Sequence, residues 1–411
     1  MKEMSNRFKV EIDVVEYQLM HKDRVVATVW MDEDFMDILS VKEVLLNDEL
    51  PLGIREKPDM KSHVAKKKLK GWWRDRILPA TRHHIKDVLL ALGVDAPIQL
   101  LEHNFGLSLS DGYWARPAGR EDLTWADLNF YENDFCDDLG YFLVENHPYE
   151  RSYAKDIDLF TPDGTTNGDL VKGWIISDGE RFLLKRGYSP AQDANEVIAS
   201  EICRRLGIPH AEYSLFQFSN LTVSASKLFT SASEEYIPMS QIIDSFKKSN
   251  GVSDYEHTIA SCVKLGLDET VVRKSMEQIL VVDYLMFNSD RHYGNFGLIR
   301  NMDTGEYTRM APIFDTGSAL KKSAGDNFGP VKELECKPYR STHDKQILLV
   351  KDLSSYDLDA LTGMDIFITD TYRAVGFDEQ SVELKNALKI FDNQLRKLEN
   401  LKAELSNDPD L

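Results

Sequence analysis

An apolar helix that leads straight into a polar loop is the feature that most constrains how this chain can fold. The helix is predicted to end at Phe287, and residues 288–295 read Asn-Ser-Asp-Arg-His-Tyr-Gly-Asn. The apolar residues 296–299 then predict a short strand. The loop between these two elements therefore presents Asp290 and, five positions later, Asn295.

A second acid, Asp315, follows Ala-Pro-Ile-Phe at the end of another predicted strand and precedes Thr-Gly-Ser. Phosphoryl transfer needs one carboxylate against the incoming hydroxyl, and a second carboxylate with an amide oxygen to hold Mg²⁺ against the phosphates. Asp290 fits the first role, and Asn295 with Asp315 fits the second. The spacing from Asp290 to Asn295 equals that of the protein-kinase catalytic loop, although the arginine and histidine here follow the aspartate.

The loop also has a simpler interpretation. Loops are rich in Asp and Asn, so Asp290 and Asn295 could form only Asx turns. The second acid, in a turn that resembles F-D-x-G, favours the catalytic interpretation. His292 is then expected to brace the loop through a hydrogen bond rather than act as a base, because Asp290 fills that role. Arg291 is expected to support the same loop.

A lysine that could hold nucleotide phosphates ends the alternating strand Arg-Phe-Leu-Leu-Lys185. Such a lysine usually has a helical glutamate as its companion, and Glu196 lies eleven residues further on. However, Asp193 and Glu196 also have the spacing of a helix capping box, in which Glu196 would only close the helix start. Both interpretations of Glu196 stay open, and Glu201 is a second candidate companion.

A loop with two glycines precedes that strand, over residues 161–172. Glycine lets backbone N–H groups approach phosphate oxygens closely, and Lys172 would add a point charge. The loop lacks the G-x-x-x-x-G-K-[ST] order of a Walker loop. A plain turn between strands is the alternative, and the position before Lys185 favours a phosphate loop.

Three regions of different texture follow one another along the chain. Residues 1–150 combine predicted strands with helical stretches and are assigned to an N-terminal accessory domain. Residues 151–230 are predicted to hold strands, turns and one helix, from Asp193 to Gly207, and residues 231–411 are mostly helical. The expected fold class is α+β, with a small β-rich nucleotide-binding lobe and a larger helical lobe that carries the catalytic loop.

Hydrophobic periodicity and turn residues predict the individual elements. A hairpin is predicted at Asp178-Gly179, between strands at 174–176 and 181–186. Further strands are predicted at 8–17, 25–31, 212–218, 221–227, 296–300 and 307–313. Helices are predicted at 69–93, with a break at Pro79, and at 237–248, 254–266, 269–287, 356–375 and 380–405.

Composition excludes several classes of protein. The 411 residues include 49 Lys and Arg against 68 Asp and Glu, a net charge of −19, which argues against general nucleic-acid binding. No apolar run approaches the roughly 18 residues that span a bilayer, and the first residues lack the apolar core of a signal peptide. The four cysteines are far apart, as in a reducing compartment. We therefore expect a cytoplasmic protein that binds no membrane.

One segment departs from the acidic average. Residues 61–86 hold nine Lys and Arg and one Asp. Such a patch could contact RNA, a tRNA-bound substrate or an acidic partner. A solvated helix face is the alternative, since charge runs are often only surface.

Together these residues resemble the HipA-like kinases, which are bacterial serine/threonine kinases of toxin–antitoxin systems. Two motifs and two single residues carry the resemblance, together with a helix that begins Asn-Glu and ends Gly-Ile. The loop pattern D-x-H-x-x-N is met by Asp290, His292 and Asn295. The later metal-binding aspartate of the family resembles Asp315, and its ATP-contacting strand lysine resembles Lys185. The phosphate loop S-x-x-G-x-x-x-K is met by Thr165, Gly168 and Lys172, with threonine in place of the usual serine.

The resemblance implies a two-lobed kinase-like fold that binds ATP and Mg²⁺ between its lobes and phosphorylates Ser or Thr of a protein substrate. It implies that the adenine meets backbone groups near Leu228 and Phe229, and that His292 contributes to ATP binding. A small DNA-binding antitoxin is the implied partner. In relatives the loop serine can be autophosphorylated, a role for which Thr165 and its neighbour Thr166 both qualify here. The segment Cys-Lys-Pro-Tyr at 336–339 resembles Firmicute-type members.

Two other functions compete with a protein kinase. Similar catalytic loops occur in kinases of lipids and other small molecules, although the acidic surface disfavours a lipid substrate. A non-catalytic module that binds a nucleotide or an antitoxin is the second alternative. All four proposed catalytic residues are present in the sequence, which argues against a non-catalytic module. They are Asp290, Asn295, Asp315 and Lys185.

Overall fold

The structure, a computed structural model, describes residues 13–33, 36–55, 62–82, 84–145, 154–166, 168–321 and 335–407. The chain divides into two compact units, residues 1–169 and 170–411. Antiparallel sheets occur in both units.

The first unit is built on a four-stranded antiparallel sheet in the order β3-β2-β1-β4. Its strands are β1 (Val14–His21), β2 (Arg24–Asp32), β3 (Ile38–Val44) and β4 (Tyr113–Pro117). Its helices are α1 (Ser62–Arg74), α2 (Ile85–Leu92), α3 (Leu100–Asn104), α4 (Trp125–Leu128) and α5 (Asp138–Glu145). Helix α1 buries Leu69 and Trp73 against the sheet, and Trp73 Nε1 donates to the carbonyl of Met36 at 2.7 Å.

Predictions for this unit are partly confirmed. The strand predicted at 25–31 corresponds to β2, whereas residues 8–12 of the strand predicted at 8–17 lie outside the described residues and β1 runs to His21. For the helical stretch predicted at 69–93, the break predicted at Pro79 is confirmed, but the first helix begins earlier than predicted, at Ser62, and ends at Arg74. Two helices, α1 and α2, take its place, because Pro79 and the turn around it separate them.

The second unit opens with the sheet that carries the predicted lysines. Its strands are β5 (Val171–Ser177), β6 (Glu180–Arg186), β7 (Tyr213–Phe218) and β8 (Leu221–Lys227), in the order β5-β6-β8-β7. The β5–β6 hairpin turns at Asp178 and Gly179, both with positive φ, as this two-residue turn requires. All four strands were predicted with small differences at their ends.

Helix α6 (Pro190–Arg205) packs against this sheet and begins three residues before the predicted start at Asp193. The hydroxyl of Ser189 accepts the N–H of Ala191, and Pro190 fills the first helical position, where its missing N–H costs nothing. The capping box, one of the two interpretations of Glu196, is therefore excluded. Both side chains are instead buried inside the helix's first two turns.

The remainder of the second unit is mainly helical, with a three-stranded sheet in the order β11-β10-β9. The strands are β9 (Glu234–Pro238), β10 (Gly297–Asn301) and β11 (Tyr307–Met310). The helices are α7 (Met239–Ser245), α8 (Asp254–Lys264), α9 (Glu269–Met286), α10 (His343–Gln346), α11 (Met364–Ala374) and α12 (Val382–Asn407).

Two of the predicted helices need correction. The helix predicted at 237–248 is shorter, because β9 occupies its start and α7 ends at Ser245. The helix predicted at 356–375 is a 3₁₀ turn followed by α11, since Gly363 between them adopts φ 81°. The other predicted helices, at 254–266, 269–287 and 380–405, are confirmed.

The predicted α+β class is confirmed, and the second unit combines a β-rich lobe with a helical one. The smaller lobe is the sheet of β5 to β8 with α6, and the larger lobe is helical. Among the described residues, no helix combines the length and the apolar character needed to cross a bilayer.

Candidate active site

The register of the β5–β6 hairpin places two predicted lysines directly opposite each other. Lys172 on β5 pairs with Lys185 on β6, so both side chains project from the same face of the sheet. Like charges in this position destabilise a sheet unless a negative group lies nearby. The carboxylate of Asp315 supplies that charge, with Oδ1 at 3.1 Å from Lys185 Nζ.

Lys185 is almost completely buried among three polar partners. Its Nζ donates to Tyr213 Oη at 3.0 Å and to Asp315, and it lies 3.6 Å from Glu196 Oε1. Burial by itself would lower the pKa of Lys185, but Asp315, Tyr213 and Glu196 outweigh it and raise the pKa well above its usual value. The side chain is therefore a fixed ammonium group.

The glutamate companion of Lys185 is Glu196. Its Oε2 accepts the N–H of Thr316 at 2.8 Å, which connects α6 to the turn that carries Asp315. Burial raises the pKa of Glu196, and Lys185 opposes that shift. The alternative that Glu201 is the companion of Lys185 is wrong. Glu201 lies further along α6 and pairs with Arg204 and Arg205 at 2.6 and 2.7 Å.

The Asp315 turn has an unusual backbone and a strongly acidic side chain. Asp315 adopts φ 59° and donates its N–H to Tyr213 Oη at 3.4 Å. Burial disfavours the charged carboxylate, but Lys185, Lys172 and Arg291 outweigh it and lower the pKa of Asp315 to about 2. The side chain is nevertheless 34% exposed, so the carboxylate is ionised at neutral pH and accessible to a ligand.

Arg291, the residue after Asp290, holds the predicted catalytic loop (residues 288–295) and the Asp315 turn together. Its buried guanidinium forms an ion pair with Asp283 of α9, with Nη2 at 2.9 Å from Oδ1. Nη1 donates to the carbonyls of Asn295 at 2.9 Å and Phe314 at 2.6 Å. One nitrogen atom, Arg291 Nη1, therefore binds the backbone at both predicted metal ligands. It contacts the carbonyl of Asn295 itself and the carbonyl of Phe314, the residue before Asp315.

The remaining loop residues are arranged around this anchor. Asn295 is buried and donates Nδ2 to the carbonyl of Asp290 at 3.4 Å, while its Oδ1 accepts no hydrogen bond from any described residue. His292 Nδ1 accepts the N–H of Gly294 at 3.1 Å, which is the bracing bond expected of it. The Asp290 carboxylate is 47% exposed and lies 2.9 Å from Lys337 Nζ.

Thr165 and Gly168 lie in the first unit, on the other side of the division from Lys172. The buried Thr165 hydroxyl donates to the carbonyls of Leu107 at 2.8 Å and Pro162 at 2.9 Å. The Gly168 carbonyl accepts from Arg82 Nη2 at 2.9 Å. The predicted phosphate loop is thus held by neighbours in its own unit, and its role toward a nucleotide stays a prediction.

Arg82, which lies three residues before α2, holds this segment in place. Nη1 and Nη2 contact the hydroxyl and carbonyl of Thr166, in addition to Gly168. Burial lowers the pKa of Arg82 to about 10, and Asp163 and Asp169 oppose the shift. The guanidinium is still charged at neutral pH and fixes the chain just before the second unit begins.

Leu228 and Phe229 follow β8, where an adenine contact is predicted. The Leu228 N–H donates to the carbonyl of Arg181 at 2.9 Å, so it is already used in the sheet. The Phe229 ring packs against Phe314 and Tyr236, with ring centres 5.4 and 6.0 Å away. Phe229 therefore contacts the residue before Asp315, and the adenine contact itself stays a prediction.

Sequence reasoning missed three residues of this site. Asp283 could have been found, because it is an isolated acid in an otherwise apolar part of α9. Lys337 lies in a segment that drew attention without an assigned role. Tyr213 gave no usable signal, because a tyrosine in a strand is ordinary.

A model of the HipA-like C-terminal domain matches residues 165–375, just over half of the chain. The chain belongs to the HipA-like family. The resemblance predicted from the motifs is therefore confirmed. The match includes the Lys172–Lys185 hairpin, helix α6, the catalytic loop and the Asp315 turn.

The chain is also similar to individual proteins. The serine/threonine-protein kinase CtkA of Helicobacter pylori is 30% identical over 178 residues, which cover 40% of this chain and 53% of the relative. The chain thus spans about half the length of this curated relative. The crystal structure of the proinflammatory kinase CtkA, also from Helicobacter pylori, covers 57% of this chain and 95% of that one, with 19% identity and a TM-score of 0.44.

A second solved structure extends over most of the chain. It is HipA of a toxin–antitoxin system from Shewanella oneidensis MR-1, in complex with HipB and operator DNA. The match covers 94% of this chain and 99% of that chain, with a TM-score of 0.53 and 12% identity. At this identity the likeness shows a shared fold.

Proposed function

We propose that this chain is an ATP- and Mg²⁺-dependent protein kinase that transfers the γ-phosphoryl group to Ser or Thr hydroxyls. The observation that carries the proposal is the attachment of the catalytic loop and the Asp315 turn to Arg291, together with the ion pair of Asp315 with Lys185. This arrangement gathers an acid, an amide, a second acid and an ammonium group, which is the set that phosphoryl transfer requires. Membership of the HipA-like family and similarity to CtkA support it.

The donor atoms of the site suit magnesium. Mg²⁺ prefers hard oxygen ligands and is often held by one or two protein side chains together with phosphate oxygens. Asp315 is ionised at neutral pH, and Asn295 directs Nδ2 to the loop and keeps Oδ1 as an acceptor. We assign Asn295 and Asp315 as the magnesium ligands. Bound magnesium would neutralise charge on the phosphate oxygens.

The remaining predicted residues receive roles in the same scheme. Asp290 orients the incoming hydroxyl and accepts its proton. Lys185, oriented by Glu196, and Lys172 bind phosphate oxygens, and the facing ammonium groups favour an anion between them. His292 and Arg291 keep the loop in shape. Roles at the nucleotide are also proposed for Thr165, Gly168, Leu228 and Phe229.

The proposal extends to the organisation and partners of the protein. We assign residues 1–150 to an accessory domain, 151–230 to the nucleotide-binding lobe and 231–411 to the catalytic helical lobe. A small DNA-binding antitoxin is the proposed partner, since the Shewanella HipA structure contains HipB and operator DNA. The proposed role as a toxin and the proposed cytoplasmic location follow from the same family relation and from the use of ATP.

Labelling with γ-³²P-ATP and Mg²⁺, with the chain itself and dephosphorylated casein as acceptors, tests the proposal. Asp290→Asn is expected to lower turnover by several orders of magnitude, because it removes the group that accepts the proton. Because the Asp290 side chain is 47% exposed, this substitution should leave the fold intact. Asp244→Asn, an equal charge change at an exposed position of α7, is the matched control and should label normally.

Three outcomes would contradict the proposal in different ways. Full activity of Asp290→Asn would remove the assigned base. Phosphate found only in small molecules would favour a small-molecule or lipid kinase. Nucleotide binding that is indifferent to Mg²⁺ and lacks turnover would favour a non-catalytic module.

A further inference from the structure

The carboxylate of Asp290 has a partner that no motif of the catalytic loop supplies. Lys337 Nζ lies 2.9 Å from Asp290 Oδ1, although the two residues are 47 positions apart. The side chains are 52% and 47% exposed, and exposed ion pairs contribute little to stability. The ion pair of Lys337 with Asp290 is therefore expected to add little to the free energy of unfolding.

The backbone of Lys337 is firmly held, so its side chain extends from a fixed point near Asp290. The buried Gln346 donates Nε2 to the Lys337 carbonyl at 2.8 Å. The same side chain accepts the N–H groups of Tyr339 and Arg340 at 3.0 and 3.2 Å. Tyr339 is buried in turn, and its hydroxyl donates to Thr258 of α8 at 3.2 Å.

The catalytic loop lacks a cation of its own at Asp290. No lysine occurs between Asp290 and Asn295, and the guanidinium of Arg291 is buried against Asp283. Lys185 is engaged with Asp315 and Glu196. Within the described part of the chain, Lys337 is the residue that forms an ion pair with Asp290.

A cation is needed at this position. The transferring phosphoryl group spreads negative charge over its oxygens, and the base beside it is itself a carboxylate. Removal of a single preorganised donor that faces developing negative charge typically costs about a factor of 10² to 10³ in rate. An ammonium on a four-carbon stem can move from the carboxylate to a nearby phosphate oxygen without moving its anchored backbone.

We propose that Lys337 is a further catalytic residue, the cation that contacts the transferring γ-phosphoryl group beside Asp290. This inference rests on the proposed kinase function. In the transfer, the acceptor hydroxyl oxygen forms a bond to the γ-phosphorus and its proton passes to Asp290. The bond between the γ-phosphorus and the bridging oxygen breaks, and ADP leaves with that electron pair. Lys337 neutralises charge on the γ-oxygens during this exchange.

Kinetics of Lys337→Met test the proposal, with Lys345→Met as the matched control. Lys345 is an exposed lysine of α10, in the same segment, and its loss changes the net charge equally. With γ-³²P-ATP, Mg²⁺ and dephosphorylated casein, Lys337→Met should lower kcat about 10²-fold and change the KM for ATP less than threefold. Lys337→Arg should recover at least a tenth of wild-type kcat, and Lys345→Met should match the wild type.

A binding measurement removes the dependence on turnover. Aluminium fluoride with ADP and Mg²⁺ mimics the transferring phosphoryl group, so a residue that acts on that group should tighten this complex selectively. Wild-type protein is expected to bind ADP at least tenfold more tightly when aluminium fluoride is present. Lys337→Met should lose this gain and keep its affinity for ADP and Mg²⁺ alone, as isothermal titration would show.

The outcomes separate this inference from the kinase proposal. A Lys337→Met protein with wild-type or increased kcat, or with an unchanged aluminium fluoride effect, overturns the role of Lys337 and leaves Asp290 as assigned. Equal losses of ADP affinity and kcat would also overturn it, since they would indicate ground-state binding. Full activity of Asp290→Asn would instead overturn the kinase proposal.

Discussion

Arg291 illustrates how much of this site depends on single buried side chains. Its guanidinium bonds Asp283, the Asn295 carbonyl, the Phe314 carbonyl and the hydroxyl of Thr316. Burying an arginine is costly unless every nitrogen finds an acceptor, and here the ion pair and three further acceptors meet that need. A residue of the catalytic loop thereby acts as a structural connection, which explains why an arginine directly after Asp290 is not itself presented to solvent.

Asp193 is a second buried charge, and its environment predicts a dependence of stability on pH. Its carboxylate accepts hydrogen bonds from the Gly187 N–H and from the N–H and hydroxyl of Ser224. Burial outweighs these bonds and raises the pKa of Asp193 from 3.8 to about 6. The folded protein therefore binds this proton more tightly than the unfolded chain does. The resulting stability is fully present below about pH 4 and is lost as the pH rises through 6.

Asp193→Asn should remove this part of the pH dependence. The wild-type free energy of unfolding is expected to fall by roughly 2 kcal/mol between pH 4 and pH 7 through this group, at about 1.4 kcal/mol per pKa unit. The neutral amide should flatten that portion of the curve, as urea unfolding at several pH values would show. Asp244→Asn is the control and should keep the wild-type slope. Parallel curves for Asp193→Asn and wild type would contradict the prediction.

At the scale of elements, the sequence predicted those helices and strands whose formation depends on residues close together in the chain. The β5–β6 hairpin follows from Asp178-Gly179, and α9 follows from its apolar periodicity and the Asp268 cap. Strand β9 was missed because its pairing with β10 depends on residues about 60 positions away. The spacing could not show whether Glu196 pairs with Lys185 or closes a capping box with Asp193, because both arrangements fit the same residues. The helix start at Pro190 excludes the capping box.

The site was predictable to the same extent. Asp290, Asn295, Asp315 and Lys185 form patterns within short segments, and the structure brings the loop and the turn to one guanidinium. The ion pair of Asp290 with Lys337 joins segments that are 47 residues apart, and no short pattern carries that information. Contacts of this kind require the packing of α8 and α10 to be known first.

Gly297 gives a prediction at this scale, since it lies where β10 meets β9. A Cβ added there would lie 2.1 Å from the carbonyl oxygen of Ile237, which is backbone and cannot move aside. Gly297→Ala should therefore separate the strands, destabilise the protein by about 1–3 kcal/mol and lower turnover by displacing Asn295 two residues before. Gly71→Ala in α1, where a Cβ meets nothing within 4 Å, is the control and should be neutral or slightly stabilising. Urea unfolding and γ-phosphate labelling measure both variants, and equal stabilities would contradict the prediction.

At the scale of the whole molecule, charge is distributed unevenly between the surface and the proposed site. The chain carries a net charge of −19, yet Lys172, Lys185, Arg291 and Lys337 lie on or near the assigned catalytic residues. An acidic protein would otherwise repel a triphosphate, so local cations and a divalent ion are needed to hold it. Nucleotide binding should therefore depend strongly on magnesium and on its assigned ligand Asp315.

Thermal unfolding of the whole chain tests this dependence. The non-hydrolysable analogue AMP-PNP with Mg²⁺, at about 100 times its Kd, should stabilise the folded protein by about 2.7 kcal/mol, which raises Tm by roughly 5–10 °C for a unit of this size. With EDTA in place of Mg²⁺ most of this increase should disappear. Asp315→Asn should show the small increase under both conditions, because it lacks the ionised ligand, whereas Asp244→Asn should behave as wild type. Equal increases with and without magnesium in the wild type would contradict the assignment of the metal ligands.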